Sequence, residues 1–163
     1  MDYQQEYKKK LVSADEAVKV VKSGDWIDYP LGIGGTNELA AALARRKEEL
    51  CGVKLRPVLP VWPNYCMEVD PDENHFSWNS RYFSSKERHY HQQGLLYYLP
   101  MQFNELPSVV TCLAPDVFMA TVAPMDQHGW FNWGASAVLS RASARNARKV
   151  LVEVNTNMPR VLG

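Results

Sequence analysis

Three glycines lie within four residues, at Gly32, Gly34 and Gly35, between a strand-like run and a helical one. Because glycine has no side chain, the backbone amides of Gly32 to Asn37 can approach a ligand closely, at the positive end of the helix dipole. Such a turn, with Thr36 completing it, suits a carboxylate, a thioester oxygen or a phosphate. The alternative is a tight strand-to-helix turn that binds nothing, and the residues alone leave both open.

The glycine segment fits neither of the common nucleotide-binding patterns. GxGxxG would require glycine in place of Asn37, and a P-loop would require Gly-Lys after four intervening residues. The segment therefore predicts neither a dinucleotide fingerprint nor a P-loop.

A second segment, VAPMDQHGWFNWG, runs from Val122 to Gly134. Pro124 ends a predicted strand, Asp126 and Gly129 are turn formers, and an aromatic run follows. The residues alone favour a turn between two strand-like pieces, with the aromatic side chains in the core and the polar ones in solvent. The alternative is that the segment forms part of a ligand site.

The cysteines, histidines and serines form no recognisable metal, disulfide or hydrolase pattern. The cysteines are Cys51, Cys66 and Cys112, and no CxxC pair joins them into a metal or disulfide framework, which favours reduced, buried cysteines in a cytosolic protein. His89 and His91 lie two apart on a predicted helix and so face different sides, which argues against a metal site. The serine-hydrolase pattern GxSxG is absent from the sequence.

Strands and helices alternate along the chain, which predicts a single α/β domain with an open, mainly parallel sheet flanked by helices. The predicted strands cover 26–29, 53–61, 95–99, 116–123 and 150–154, the last of them β-branched and expected to be buried. The predicted helices cover 14–22, 38–50, 84–93 and 136–149, with a helical turn at 103–106. Residues 62–80 lack periodicity and predict a long surface loop, of a length that is often functional.

Local signals refine three of these elements. Ser13 and Glu16 form a predicted capping box, and Asn37 is the predicted cap of the helix after the glycines. Pro57 and Pro60 indicate that at least part of the second strand lies at a sheet margin or in a loop.

The composition is that of a folded protein without a dominant charge. The 163 residues include 46% hydrophobic residues, with 18 lysines and arginines against 18 aspartates and glutamates. This balance argues against binding to nucleic acid or to an anionic membrane. The basic stretch of Arg81, Lys86 and Arg88 is interpreted as a solvated face, with a contact to the phosphates of CoA as the alternative. Since the polar beginning is not a secretory signal and no long apolar run follows, we predict a cytoplasmic protein.

The chain resembles the acetyl-CoA hydrolase/transferase family, the family I CoA-transferases. PMDQHGWFNWG is similar to the family pattern SPMD-x-HG-(aromatic)-F-(N or S)-(aromatic)-G, with Ala123 where serine is common. GIGGTNELAAAL matches its glycine-rich turn, although Thr36 or Asn37 stands where the family often has proline. Asn155, Asn157 and Pro159 match the family's EVN-x-(N)MP ending.

The resemblance implies a CoA-transferase or NagB-like N-terminal domain over residues 1–163, truncated before a C-terminal catalytic half. The family reaction is ping-pong and passes through a glutamyl-CoA thioester on a glutamate of that other half. No catalytic residue is therefore assigned here, and Glu38, Glu68, Glu105 and Glu153 are not promoted to that role. Coenzyme A is expected as a substrate, with no metal and no permanently bound cofactor.

The resemblance also implies where substrate binds, because the glycine turn and the PMDQHGW segment would border a cleft between the two halves. The implied substrate-binding residues are Gly32, Gly34, Gly35, Thr36, Asn37, Pro124, Met125, Asp126, His128, Gly129 and Trp130. The implied partners are an acyl-CoA, a short carboxylate, the C-terminal half and further copies in a homo-oligomer. Two alternatives stay open: a thioester hydrolase of the same family, and a non-catalytic α/β fragment that only oligomerises.

Overall fold

A six-stranded sheet forms the centre of the computed structural model, which describes residues 2–162. The strand order is β4-β3-β2-β1-β5-β6, and each neighbouring pair is parallel. The strands are β1 (Trp26–Leu31), β2 (Val53–Val58), β3 (Phe76–Ser80), β4 (Tyr97–Tyr98), β5 (Val117–Val122) and β6 (Lys149–Val154). The helices are α1 (Tyr3–Lys10), α2 (Ala14–Ala17), α3 (Glu38–Arg45), α4 (Tyr65–Val69), α5 (Ser85–Gln92), α6 (Leu106–Cys112) and α7 (Ser140–Asn146). The predicted open, parallel α/β fold is confirmed.

The strand order reverses between β1 and β5, because the chain moves outward from β1 to β4 and then from β5 to β6. Two residue pairs join β1 to β5, Ile27 with Val117 and Asp28 with Phe118, whereas six pairs join β5 to β6. Strands β1 and β5 therefore separate toward their carboxyl ends. Open α/β sheets bind their ligands in the crevice at such a switch point.

Two apolar clusters cover the two faces of the sheet. On one face, Ile27 of β1 and Leu55 of β2 pack in a large cluster that includes Leu43 of α3. On the other face, Val58 of β2 lies in a smaller cluster with Leu106 of α6. Because alternate strand residues point to opposite faces, Leu55 and Val58 of the same strand β2 lie in different layers.

The predicted surface loop at 62–80 is wrong in part, since it contains both α4 and β3. Strand β3 lies between β2 and β4 and buries Phe76 and Trp78. Its other residues, Ser77, Asn79 and Ser80, are types that favour turns in isolation. Parallel pairing with β2 overrides that local preference, and propensity alone does not reveal it.

The last strand is not buried as predicted. Within residues 2–162, β6 pairs with β5 alone and forms one edge of the sheet. Val150 and Val152 are 41% and 37% exposed. A β-branched composition favours a strand but does not distinguish an inner strand from an outer one.

Strand β2 is an inner strand that carries Pro57 as its next-to-last residue, and residues 59–61 lie beyond its end. The Pro57 carbonyl accepts a hydrogen bond from the Arg81 amide at 3.2 Å. Arg81, predicted to be solvated, is instead 3% exposed, and its Nη2 lies 3.3 Å from a carboxylate oxygen of Asp28. Arg56 of β2 contacts the same carboxylate, at 2.6 Å.

The helix boundaries differ from the predictions mainly at their ends. Ser13 caps α2 by accepting from the Glu16 amide at 3.2 Å, but the Glu16 carboxylate bonds to Lys19, so only half of the predicted capping box forms. The predicted helices at 14–22 and 38–50 end early, in 3-10 turns at Val18–Val20 and Lys47–Glu49. The helix predicted at 136–149 is the shorter α7, and the sequence did not predict α1 or α6.

The three cysteines are free, but the prediction that they are buried holds for Cys66 only, since Cys51 and Cys112 are exposed. Among residues 2–162, no helix has the length and apolar character needed to cross a membrane.

Candidate functional site

The glycine loop, residues 32–37, leaves β1 at the switch point and is packed from several sides. It begins with a 3-10 turn at Gly32–Gly34, and Gly32 adopts a positive φ of 56°. A Cβ on Gly34 would lie 2.5 Å from that of Ser136, whose hydroxyl bonds to the Leu31 carbonyl. The Gly35 carbonyl accepts from Thr121 Oγ1 at 2.8 Å. The loop therefore has one fixed backbone path.

A pocket lies between this loop and the segment that begins at Trp62. The cavity itself has a volume of about 30 Å³, room for about two water molecules, and it opens to solvent; Gly32, Gly35 and Thr36 lie on its loop side. Its remaining wall is mainly apolar and aromatic, with Pro60, Trp62 and Trp78 among the lining residues. An apolar pocket with a few polar groups is the usual form of a small-molecule site.

Two residues that line this pocket each have a buried polar atom without a partner among the described residues, Thr36 Oγ1 and Trp62 Nε1. Thr36 is 3% exposed. Leaving a buried donor unpaired is unfavourable, so such atoms indicate that a ligand oxygen or a water completes the site. The hydroxyl can donate or accept, whereas the indole can only donate. Together they suit an oxygen acceptor.

Burial favours the neutral form of two residues that line the pocket, Tyr29 and Cys66. Burial raises the pKa of the Tyr29 hydroxyl well above its usual value. Burial also raises the pKa of the Cys66 thiol, and the nearby Asp70 carboxylate acts in the same direction. Because the thiolate is the reactive form of cysteine, Cys66 is not activated as a nucleophile here. The pocket therefore has the groups for binding a ligand, and its thiol is not a candidate nucleophile.

Asn37 does not cap α3, contrary to prediction. Its amide oxygen accepts from the Tyr65 hydroxyl at 2.8 Å, and its amide nitrogen donates to Glu38 at 3.0 Å. The helix amides bond instead to Glu153 of β6. Asn37 thus links α3 to α4 and lies outside the pocket wall.

The PMDQHGW segment forms a compact turn that Asp126 fixes. Its Oδ1 accepts from the amides of His128 and Trp130, each at 2.9 Å, and its Oδ2 lies 2.9 Å from Arg160 Nη2. The Trp130 amide is the largest of several contacts that lower the pKa of the Asp126 carboxyl. Pro124 also contributes to the turn, because its carbonyl accepts from Arg160 at 3.1 Å.

The two predicted segments leave neighbouring strands but do not line one pocket. Met125 and Gly129 lie in a separate, mainly apolar groove that wraps the edge of β6. We call it the β6 groove; its lining includes Tyr3, Leu11, Val12, Phe131, Val150 and Val152. His128 is exposed, and Trp130 is 69% exposed instead of lying in the core. Phe131 and Trp133 do pack, against Tyr7 and Phe118.

Several residues of the site were not identified from the sequence. Trp62 and Tyr65 come from the segment predicted as a long loop, whose length was the one available signal. Thr121 and Glu153 lie on β5 and β6, and their contacts with the loop depend on strand order. Among residues 2–162, no three histidine, cysteine or acidic side chains are grouped closely enough to hold a metal ion.

Comparison with known proteins places this geometry in a family. The sequence profile of the acetyl-CoA hydrolase/transferase N-terminal domain matches residues 1–163. The chain belongs to the acetyl-CoA hydrolase/transferase family. This confirms the resemblance seen in the glycine loop and the PMDQHGW turn.

Two relatives and one solved structure show how much of a family member is present. The chain is 44% identical to the butyryl-CoA:acetate CoA-transferase of Anaerostipes caccae over 100% of its own length and 37% of that protein. It is also 44% identical to a probable butyrate:acetyl-CoA coenzyme A-transferase of Syntrophomonas wolfei, covering 98% of this chain and 36% of the relative. RipA from Yersinia pestis matches with a TM-score of 0.90 at 28% identity, over 100% of this chain and 40% of RipA. The chain thus spans well under half the length of these family members.

Proposed function

We propose that these residues form the N-terminal domain of a CoA-transferase, which moves CoA between a short-chain acyl-CoA and a carboxylate such as acetate. The carrying observation is the pocket beside the glycine loop, where apolar walls surround two residues with unpartnered polar atoms in a chain 44% identical to a butyryl-CoA:acetate CoA-transferase. The cavity has room for an oxygen atom, so a carbonyl or carboxylate oxygen would enter beside Thr36 and Trp62 while the short acyl chain would lie in the apolar mouth.

In this proposal the domain supplies the acyl pocket and the rest of the protein supplies the nucleophile. Within the described residues, none of Glu38, Glu68, Glu105 and Glu153 lines the pocket. A glutamate outside these residues attacks the acyl carbonyl and expels the CoA thiolate, which gives an acyl-glutamyl anhydride. The thiolate then attacks the glutamyl carbonyl, releases the acyl group as a free carboxylate and leaves a glutamyl-CoA thioester. The acceptor carboxylate reverses these steps.

The β6 groove is the proposed seat of the C-terminal half. It combines an open strand edge with exposed apolar side chains, such as Val150 at 41% and Leu11 at 59% exposure. Large exposed apolar patches and unpaired strand edges are typical of surfaces that another segment covers. The proposal further includes a cytoplasmic location, a homo-oligomeric assembly, and coenzyme A as a substrate without a permanently bound cofactor.

CoA exchange by the whole protein tests the proposal. Butyryl-CoA and isotopically labelled acetate should yield labelled acetyl-CoA, and release of butyrate should depend on acetate. Release of free CoA without acetate would identify a thioester hydrolase instead. Self-association without any turnover would support the non-catalytic alternative. The 163-residue chain alone should give no exchange, and robust turnover by it would refute the placement of the nucleophile in the other half.

A further inference from the structure

The N-terminus of α3 directly follows the glycine loop and has the properties of an anion site. The first amides of a helix lack intrahelical partners, and the helix dipole adds positive potential there. The sequence left open whether a substrate carboxylate or phosphate binds these amides or whether the turn binds nothing. In the structure, a side chain of the protein already occupies this position.

The occupant is the carboxylate of Glu153. Its Oε1 accepts from the Asn37 amide at 3.3 Å, and its Oε2 accepts from the amides of Glu38 and Leu39 at 2.9 and 3.1 Å. Three of the free amides at the start of the helix are therefore satisfied by one residue that lies 114 to 116 positions away in the chain. A carboxylate at this place is favoured by charge as well as by hydrogen bonding.

Glu153 acts together with a neighbour on β5. Thr121 and Glu153 are register partners in the parallel pair of β5 and β6. Thr121 donates to the Gly35 carbonyl at 2.8 Å, while Glu153 accepts from the amides that follow that glycine. Two adjacent side chains of the sheet thus hold the last part of the loop. Thr121 bonds to a loop carbonyl, and Glu153 bonds to the amides that follow it.

We propose that Glu153 is a positioning residue for CoA transfer. Its carboxylate fixes the path of the glycine loop and fills the anion position at α3, so that substrate anions are excluded from the helix terminus and meet the loop from the pocket side. This inference rests on the proposed function for its catalytic consequence, but the occupied anion position is a property of the fold and is testable without turnover.

The test uses the whole protein with Glu153→Ala, Glu153→Gln and, as a matched control in the same helical turn, Glu38→Gln. Alanine removes both carboxylate oxygens and opens the anion position, whereas glutamine keeps one acceptor oxygen. Within the described residues, the Glu38 carboxylate accepts from the Asn37 side chain and not from the helix amides. The three variants therefore separate loss of the cap from loss of a nearby charge.

Thermal unfolding in sodium formate and in sodium chloride of equal ionic strength gives the first readout. Formate should fill the vacant position in Glu153→Ala and raise its Tm, while the wild type and Glu38→Gln show no formate-specific shift. Glu153→Gln should fall between them. An equal response to formate in wild type and Glu153→Ala would show that the position is not opened, and the proposal would fail.

Steady-state kinetics give the second readout. Misplacement of a substrate-positioning loop lowers kcat more than it raises KM, so we expect kcat of Glu153→Gln to fall about tenfold with the KM for butyryl-CoA within a factor of about two. A fall in Tm with unchanged kcat would assign Glu153 a structural role only. Absence of exchange in the wild type would refute the proposed function, while the formate response would still decide the occupancy of the helix terminus.

Discussion

The glycine loop and the PMDQHGW turn leave neighbouring parallel strands at the same edge of the sheet, yet they are held in opposite ways. The loop is fixed by distant residues, because Thr121, Ser136 and Glu153 all bond to it or to its flanking residues. The turn is fixed mainly from within, by the bonds of Asp126 to the amides of His128 and Trp130, and Arg160 is the distant residue that adds to them. The loop consequently borders a pocket, whereas the turn presents Trp130 to solvent.

This difference separates relatedness from ligand contact. The turn carries the longest match to the family pattern, but its most exposed aromatic side chain lies outside the pocket beside the glycine loop. The loop has a shorter match and contributes three residues to that pocket, Gly32, Gly35 and Thr36. A long local pattern is therefore good evidence of ancestry, while a site depends on which distant residues meet it.

Gly34→Ala should have the largest effect, because it disrupts a loop that cannot move. The added Cβ would lie 2.5 Å from that of Ser136 and 2.8 Å from that of Pro30. Overpacking of this kind should lower the free energy of unfolding of the whole protein by about 3 kcal/mol, as measured by urea denaturation. CoA exchange should fall with it.

Gly35→Ala is the matched control within the same loop. Its Cβ would lie 3.4 Å from the nearest backbone oxygen, and its φ of −62° suits any residue. The free energy of unfolding should change by less than about 0.5 kcal/mol. Equal losses in the two variants would contradict the assignment of the damage to the Ser136 contact.

Gly129→Ala should have a smaller effect, because the part of the molecule it displaces is peripheral. The φ of Gly129 is +85°, and a Cβ there would overlap the ring of Tyr3. Helix α1, which carries Tyr3, has no buried residue and can shift away. We expect a loss of about 1 to 2 kcal/mol from backbone strain, together with faster tryptic cleavage after Lys8 to Lys10. An unchanged cleavage rate would show that α1 is not displaced by the added Cβ.

The sequence allowed the elements around both segments to be predicted, but not the contacts between them. Glycine, proline and aspartate act on their own neighbours, so the turns at Gly32 and Asp126 were placed correctly. The alternation of strands and helices likewise predicted the parallel sheet. Glu153 meets the Asn37 amide across 116 positions, and that contact follows from β6 lying beside β5, which no local pattern encodes.

The same reasoning explains two predictions that were wrong, the surface loop at residues 62–80 and the burial of the last strand. Strand β3 has polar residues at Ser77, Asn79 and Ser80 and forms because β2 pairs with it on one side. The exposure of Val150 and Val152 depends on the absence of a further strand beside β6 within residues 2–162. Both features are properties of neighbours in space, and the amino-acid types of the segment leave them undetermined.

Thr36→Val should have a smaller effect still, and on binding instead of stability. Valine keeps the shape but removes an oxygen that is buried without a partner in residues 2–162, so the free energy of unfolding should stay level or rise. The KM for butyryl-CoA should rise about fivefold, equal to about 1 kcal/mol. Trp62→Phe should act in the same direction. Thr111→Val, at an exposed site on α6 that bonds to Pro107, is the control and should change neither quantity.

Acidification should have the smallest effect and should act on the turn alone. The amides of Trp130 and His128 and the charge of Arg160 lower the pKa of the Asp126 carboxyl below its ordinary value of 3.8. A carboxyl whose pKa is lower in the folded state stabilises the fold fully above its unfolded pKa, and this contribution disappears as pH falls through the folded pKa. In nuclear magnetic resonance spectra, the amide signals of His128 and Trp130 should therefore titrate together with a midpoint below pH 3.8. Asp126→Asn should abolish that titration, and the Gly35 amide should not follow it, because distant residues hold the glycine loop. A shared titration of both segments would show that the turn and the loop are coupled and would remove the distinction between them.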